Sequence, residues 1–148
     1  MTAIQGEELV RVRAGAWRLL VPMRHVERVH GAALPAVRPT AGRAQAPVVA
    51  IGHDLVPLAF AAALLGAAEV RLLPEHQMVL LSSEGQRGLL WVDAVEEVVE
   101  HVPVAVPSRA TSAGDLVVAW SGTDLPLPVL DVPRLLSLLT SPAEGAHP

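Results

Sequence analysis

Six histidines are the first residues in this 148-residue chain whose type could do chemistry. His25 and His30 are five apart, a spacing that puts them on one face of neither a helix nor a strand. His53 sits beside Asp54 in a tight turn, and His76, His101 and His147 stand alone in sequence. No H-E-x-x-H occurs and no group has zinc-ligand spacing, so each reads as an exposed or turn histidine. None of the seven serines lies in a G-x-S-x-G elbow, and no G-x-G appears to mark a dinucleotide loop. Glu96, Glu97 and Glu100 could be imagined as an acid–base group, but adjacent carboxylates in a charged run are ordinarily a solvated face. Cysteine is absent, and all 11 positive charges are arginine, which excludes thiolate metal sites, cysteine nucleophiles, Schiff-base lysines and P-loop lysines. The residues argue against an enzyme. No catalytic, cofactor-binding or metal-ligating position is expected.

The elements that carry these residues come from a chain with ample core material, 51% hydrophobic against 18% charged. A net charge of −4 argues against a nucleic-acid binder, and one Phe, three Trp and no Tyr leave no platform for stacking bases. The charge is uneven. Residues 1–43 hold seven Arg against three acids, whereas residues 44–148 hold four Arg against twelve acids, a contrast able to steer a partner. Glu7 and Glu8 interrupt any apolar start, and the uncharged run Val56–Ala68 is too short for a membrane span. A cytoplasmic protein without direct membrane insertion is expected.

The two halves echo each other. At an offset of 70, Val12–Gly15 falls on Ser82–Gly85, Leu19–Val21 on Leu89–Trp91, and Asp54-Leu55 on Asp124-Leu125. At 69, Val26-Glu27-Arg28-Val29 falls on Val95-Glu96-Glu97-Val98. Recurrence of blocks in one order at nearly constant spacing reads as an internal duplication.

Each half reads as short strands. Leu9–Arg13 and Trp17–Val21 form a pair, as do Met78–Leu81 and Gly88–Val92. Pro47–Ile51 and Asp54–Leu58 form another around Gly52-His53. Its counterpart is Leu116–Trp120 and Leu125–Leu130, turning at Ser121-Gly122-Thr123. Val95, Val98, Val99 and Val102 have helical spacing, but valine enrichment and Pro103 favour a turn at Asp93–Glu97 leading into a strand. Phe60–Leu65 reads as a short helix ending at Gly66, and Asp131 as the N-cap of a helix over Val132–Leu139. Gly31–Ala46 and Ser108–Gly114 read as loops, and Pro142–Pro148 as a frayed tail.

A mainly β fold is therefore expected: two small barrels sharing one hydrophobic core, with a short C-terminal helix. Residues 1–141 form one domain with approximate subdomains 7–66 and 76–139, between which strands can cross. A Val- and Leu-lined groove between the barrels would suit a partner's helix.

The order of blocks resembles the CheW family of chemotaxis coupling proteins. Leu19-Leu20-Val21-Pro22 followed by His25-Val26-Glu27-Arg28-Val29 resembles the family's early strand and V-x-E segment. Residues Pro47 to Leu58 resemble its G-V-I-N-L-R-G-x-I-V-P block, Leu90–Val95 its V-D-x-V segment, and Leu127–Asp131 with Leu135-Leu136 its closing L-L-D and terminal helix. The resemblance implies two five-stranded SH3-like barrels and a non-catalytic adaptor. Its partners would be a CheA-type histidine kinase, the cytoplasmic tip of a chemoreceptor and other CheW-like domains, with recruitment to arrays at the inner membrane. It further implies a receptor-facing surface at Val26, Arg28, Val29 and His30, with Gly52, His53, Asp54 and Val56 close by on a neighbouring strand. The alternative for Val26, Val29 and Val56 is a place in the core.

The departures from the family pattern bear on partner choice. The arginine of the N-L-R-G segment is replaced by Gly52, which removes a bidentate carboxylate partner unless Arg24 or Arg87 supplies it. The acid of V-x-E falls on Arg28, a reversal of charge, with Glu27 one place earlier. A divergent adaptor is implied. The second reading is a module that binds only a receptor, or assembles with itself into rings or filaments without a kinase.

Overall fold

The computed structural model describes residues 7–33, 35, 47–67, 70–101, 117–121 and 127–140. The predicted loop at Ser108–Gly114, the turn at Gly122-Thr123, the tail and nearly all of the loop after Gly31 lie outside the described residues.

Among the described residues, ten strands build two five-stranded sheets. In chain order they are β1 (Glu7–Ala14), β2 (Trp17–Pro22), β3 (Val26–Gly31), β4 (Val48–Ile51) and β5 (Asp54–Phe60). Then come β6 (Gln77–Ser83), β7 (Gln86–Val92), β8 (Ala94–His101), β9 (Val117–Ser121) and β10 (Leu127–Leu130). One sheet has the order β8-β1-β2-β10-β9, the other β3-β6-β7-β5-β4. Adding five to each label of the second sheet, counted around the ten, returns the first. The hairpins β1–β2 and β6–β7, the parallel pairs β2–β10 and β7–β5, and the outer antiparallel pairs all correspond. The duplication is therefore a strand-exchanged one, because each sheet takes strands from both halves of the sequence. Among the described residues, no pairing joins β3 to β4 or β8 to β9.

The alignment of the halves shifts by one residue at the hairpins. Ala14 pairs with Trp17 and Ser83 with Gln86, which puts the tips 69 apart rather than 70. Gly15 is the first residue of its turn and Gly85 the second, so the two glycines match in sequence but not in place.

Strands β2, β6 and β7 are buried on both faces over most of their length, which is why they read as continuous apolar runs, whereas β1 alternates from Val10 onward with Arg11 and Arg13 on its outer face. Val10, Val12, Leu19 and Val21 face Val79, Leu81, Leu90 and Val92 across the core shared by the sheets. The intervening residues face outward from that core. Leu9, Leu20 and Val129 form a cluster on one sheet, and Val56, Leu58, Met78, Leu80, Leu89 and Trp91 form one on the other.

The helices also obey the duplication. The single turn α1 (Ala61–Leu64) follows β5, and α2 (Val132–Thr140) follows β10. Gly66, with φ +97°, closes α1 in a Schellman arrangement: its amide donates to the Ala63 carbonyl and the Ala67 amide to that of Ala62. Asp131 caps α2 by accepting the Arg134 amide at 3.1 Å. The apolar face of α2, Val132, Leu135 and Leu136, completes the shared core.

The helix-like spacing of Val95, Val98 and Val99 has a strand explanation. β8 pairs Glu97 with Arg11 and Val95 with Val12, leaving Glu96 as the extra residue of a bulge. The bulge slips the alternation, so Val95 packs on the shared core while Val99 packs on the outer cluster.

Candidate protein-interaction surface

Among the described residues β3 is an edge strand, paired on one side only, with β6. It too carries a bulge: Val26 pairs with Leu81 and Arg28 with Leu80, leaving Glu27 as the extra residue. Arg28 and Val29 follow, Arg28 exposed and Val29 39% exposed. Val26 is half-buried against the shared core. His30 is half-buried, and its Nε2 is buried without a hydrogen-bond partner among the described residues.

The β4–β5 turn is a second exposed feature of the same sheet. Gly52 adopts φ +63° at its first position, where a side chain would be strained. His53 and Asp54 are exposed, and Leu55 beyond them is 56% exposed.

Arg87 on β7 joins the two features. Its Nε donates to a Glu27 carboxylate oxygen at 3.1 Å, and its Nη1 lies 3.4 Å from an Asp54 oxygen. Arg24 pairs instead with Glu7 of β1. Of the two arginines able to stand in for the one missing at Gly52, Arg87 is therefore the one beside that turn.

Two of the residue placements need correction. β5 does not neighbour β3: it adds in parallel to β7, so β6 and β7 stand between the two. Only the reach of Arg87 brings Asp54 to the β3 bulge. Val56 is 2% exposed within the outer cluster of its sheet, because it alternates inward from Leu55, and it supports this surface from beneath.

Sequence reasoning missed Glu27 and Leu55, and raised Arg87 only as a stand-in. The repeat carried the signal. Arg18 and Glu96 lie 69 positions from Arg87 and Glu27, and Arg18 Nε donates to Glu96 at 2.9 Å. The same pair of bulge carboxylate and hairpin arginine thus occurs once on each sheet. At Glu96 the Arg18 hydrogen bond is the largest influence, and together with the charges of Arg18 and Arg11 it outweighs desolvation and holds the carboxyl below its ordinary 4.5.

A model of the CheW-like domain family matches residues 8–140, nearly the whole chain. The chain belongs to the CheW-like domain family. No curated protein matches it. Among solved structures it is similar to the crystal structure of the scaffolding protein TtCheW from Thermoanaerobacter tengcongensis, at 16% identity and a TM-score of 0.72. That match covers 84% of each chain, and at such identity it speaks to fold. A mainly β, two-sheet CheW-like fold is thus shared across a wide sequence distance. Among the described residues, no helix is long and apolar enough to cross a membrane, and no group of three His, Cys, Asp or Glu is placed to hold a metal.

Proposed function

We propose that this CheW-like chain is a non-catalytic scaffold of a chemosensory pathway, coupling a chemoreceptor's helical tip to a CheA-type histidine kinase in the cytoplasm. The observation that carries the reading is the family match over residues 8–140. The kind of surface the fold exposes supports it: an edge strand with Arg28 and Val29 outward, tied by Arg87 to the Gly52–Asp54 turn. Val26, Arg28, Val29 and His30 serve as the receptor-facing strip, with Gly52, His53 and Asp54 at its far end and Val56 beneath it. Signalling contacts of this type bury at or below roughly 800 Å² per partner. A mixed rim of Arg28, Glu27, Arg87 and Asp54 would set partner choice more than affinity. Arg87, held between two carboxylates, takes over the cation lost at Gly52.

The test uses the purified protein as bait in extract of its native organism, with bound proteins read by mass spectrometry. A CheA-type kinase recovered together with a chemoreceptor, and both lost with Val29→Asp, supports the reading. Recovery of neither sinks it.

A second reading, self-assembly into rings or filaments, is favoured by one observation. Arg28 and Glu97 occupy corresponding positions after the two bulges, on the edge strands β3 and β8. The edges carry corresponding bulges and opposite charges at these positions, which suits a head-to-tail contact between copies. Light scattering across a concentration series separates the readings, since a monomer at high concentration leaves the adaptor alone.

A further inference from the structure

Aromatic side chains are scarce in this chain, three Trp and one Phe, yet Trp17, Phe60 and Trp91 line a single cavity of about 370 Å³. It lies at the junction of the sheets, between the β1–β2 turn, the end of β5 and the end of β7. Its volume falls within the range of small-molecule sites and suits a ligand of on the order of a dozen non-hydrogen atoms. Phe60 and Trp91 meet at 6.0 Å in a tilted pair, and Trp17 is 56% exposed at the wall. An exposed tryptophan beside a cavity is apolar surface that the fold itself does not cover.

The polar groups of the wall are ordered. His76 is 6% exposed, and its Nδ1 accepts from the Trp91 indole N–H at 2.8 Å and from the Leu73 amide at 3.4 Å. Both bonds require an unprotonated Nδ1, so the ring proton is on Nε2, which faces an Asp93 oxygen at 3.6 Å. The other Asp93 oxygen accepts the Gly15 amide at 2.8 Å and lies 3.5 Å from Arg13 Nη1. The carboxylate is thereby occupied, and it ties the β1–β2 turn to the end of β7. Arg71 also lines the cavity and makes no ion pair among the described residues. Among the described residues the unpaired charge at the wall is therefore positive, and apart from the tied His76–Asp93 pair the rest of the wall is aromatic or aliphatic.

We propose that this cavity binds a small aromatic carboxylate, its ring against Trp17, Phe60 and Trp91 and its carboxylate on the Arg71 guanidinium. Aromatic walls favour offset or edge-on contact with a flat ring, and a guanidinium pairs with a carboxylate through two parallel bonds. The locked His76–Trp91 pair fixes the floor before the ligand arrives, which limits the ordering cost of binding. The site is independent of the scaffold reading, since its residues are not those of the β3 surface.

The test titrates the full-length ¹⁵N-labelled protein with indole-3-acetate, following the tryptophan indole N–H signals and the Gly15 amide. Saturable shifts with a midpoint of about 1 mM or tighter are expected, the scale that a ligand of this size reaches. Methylindole, which keeps the ring and lacks the carboxylate, should need about tenfold more, and Arg71→Gln should raise the indole-3-acetate midpoint by a similar factor. Arg71 is exposed, so an unchanged spectrum elsewhere verifies the fold of that variant. Shifts that do not saturate by about 10 mM overturn the proposal, as do equal midpoints for the two ligands or for the two proteins.

Discussion

Val29 and Val56 both stand in apolar segments, but burial gives them opposite roles. Val29 is 39% exposed on an edge strand, whereas Val56 is 2% exposed among Leu58, Leu80 and Leu89. Val29→Asp should therefore stay folded, its denaturation midpoint within about 0.5 kcal/mol of wild type, while partner capture falls at least about tenfold. Val56→Asp places an unpaired carboxylate in a core and should lose the folded circular dichroism spectrum outright. An unfolded Val29→Asp would return that residue to the core and remove it from the interface. Glu96 makes a prediction in pH. Its carboxyl is held low in the folded state, chiefly by the Arg18 hydrogen bond, so its contribution is complete above 4.5 and fades as pH falls through the lowered value. The pair is largely solvated, which limits the effect to well under about 1 kcal/mol. Glu96→Gln should accordingly cost a little at neutral pH, and that cost should shrink progressively as pH falls below 4.5, as read from urea midpoints across the acid range.

At the scale of elements, α2 depends on two small features outside its apolar face. Asp131 satisfies the amide of Arg134, and removing that cap in Asp131→Ala should cost about 1 kcal/mol in thermal or urea melts. Gly88 on β7 leaves the space into which α2 packs. A Cβ built there would come within 2.6 Å of Leu136 Cδ2 and 3.2 Å of Leu139 Cδ1. Leu136 is fully buried, so its side chain must shift within a packed core, and Gly88→Val should push α2 off the sheet at a cost of about 1–3 kcal/mol. A melting temperature equal to wild type would mean the helix rides over the added methyls. The far end of α2 is fastened separately, since Gln86 of the β6–β7 hairpin donates to the Thr140 hydroxyl at 2.8 Å.

At the scale of the molecule, the two halves of the sequence are not two folding units. β1 and β2 find their sheet partners in β8 and β10, and β6 and β7 find theirs in β3 and β5. The core between the sheets is shared as well. Residues 1–70 and 71–148 expressed separately should each be unfolded, since each would expose the unpaired edges of a hairpin and half of a core. Mixed together, they should recover strand signal by circular dichroism in a concentration-dependent way. A folded isolated half would contradict the exchange of strands. The exchange also places corresponding edges, β3 and β8, on different sheets with opposite charge at Arg28 and Glu97.

Much of this was legible without coordinates. Runs such as Leu19-Leu20-Val21, turns with glycine, and the cap at Asp131 are local matters of sterics and hydrogen bonding, and they determined the β1–β2, β4–β5 and β6–β7 pairs and α2; β3 is not among the strands they mark, and the turn expected at Asp93–Glu97 is strand from Ala94 onward. The repeat determined that the halves would be alike. Pairing between distant strands is decided by how faces bury one another, and periodicity within a strand carries no record of it. That is why β5 joins β7 rather than β3, why Val56 faces inward, and why the bulge at Glu96 gives the valines of β8 a helix-like spacing. The same reason hid the ion pairs of Arg87: its partners Glu27 and Asp54 are 60 and 33 residues away, and only the packed sheets bring them together.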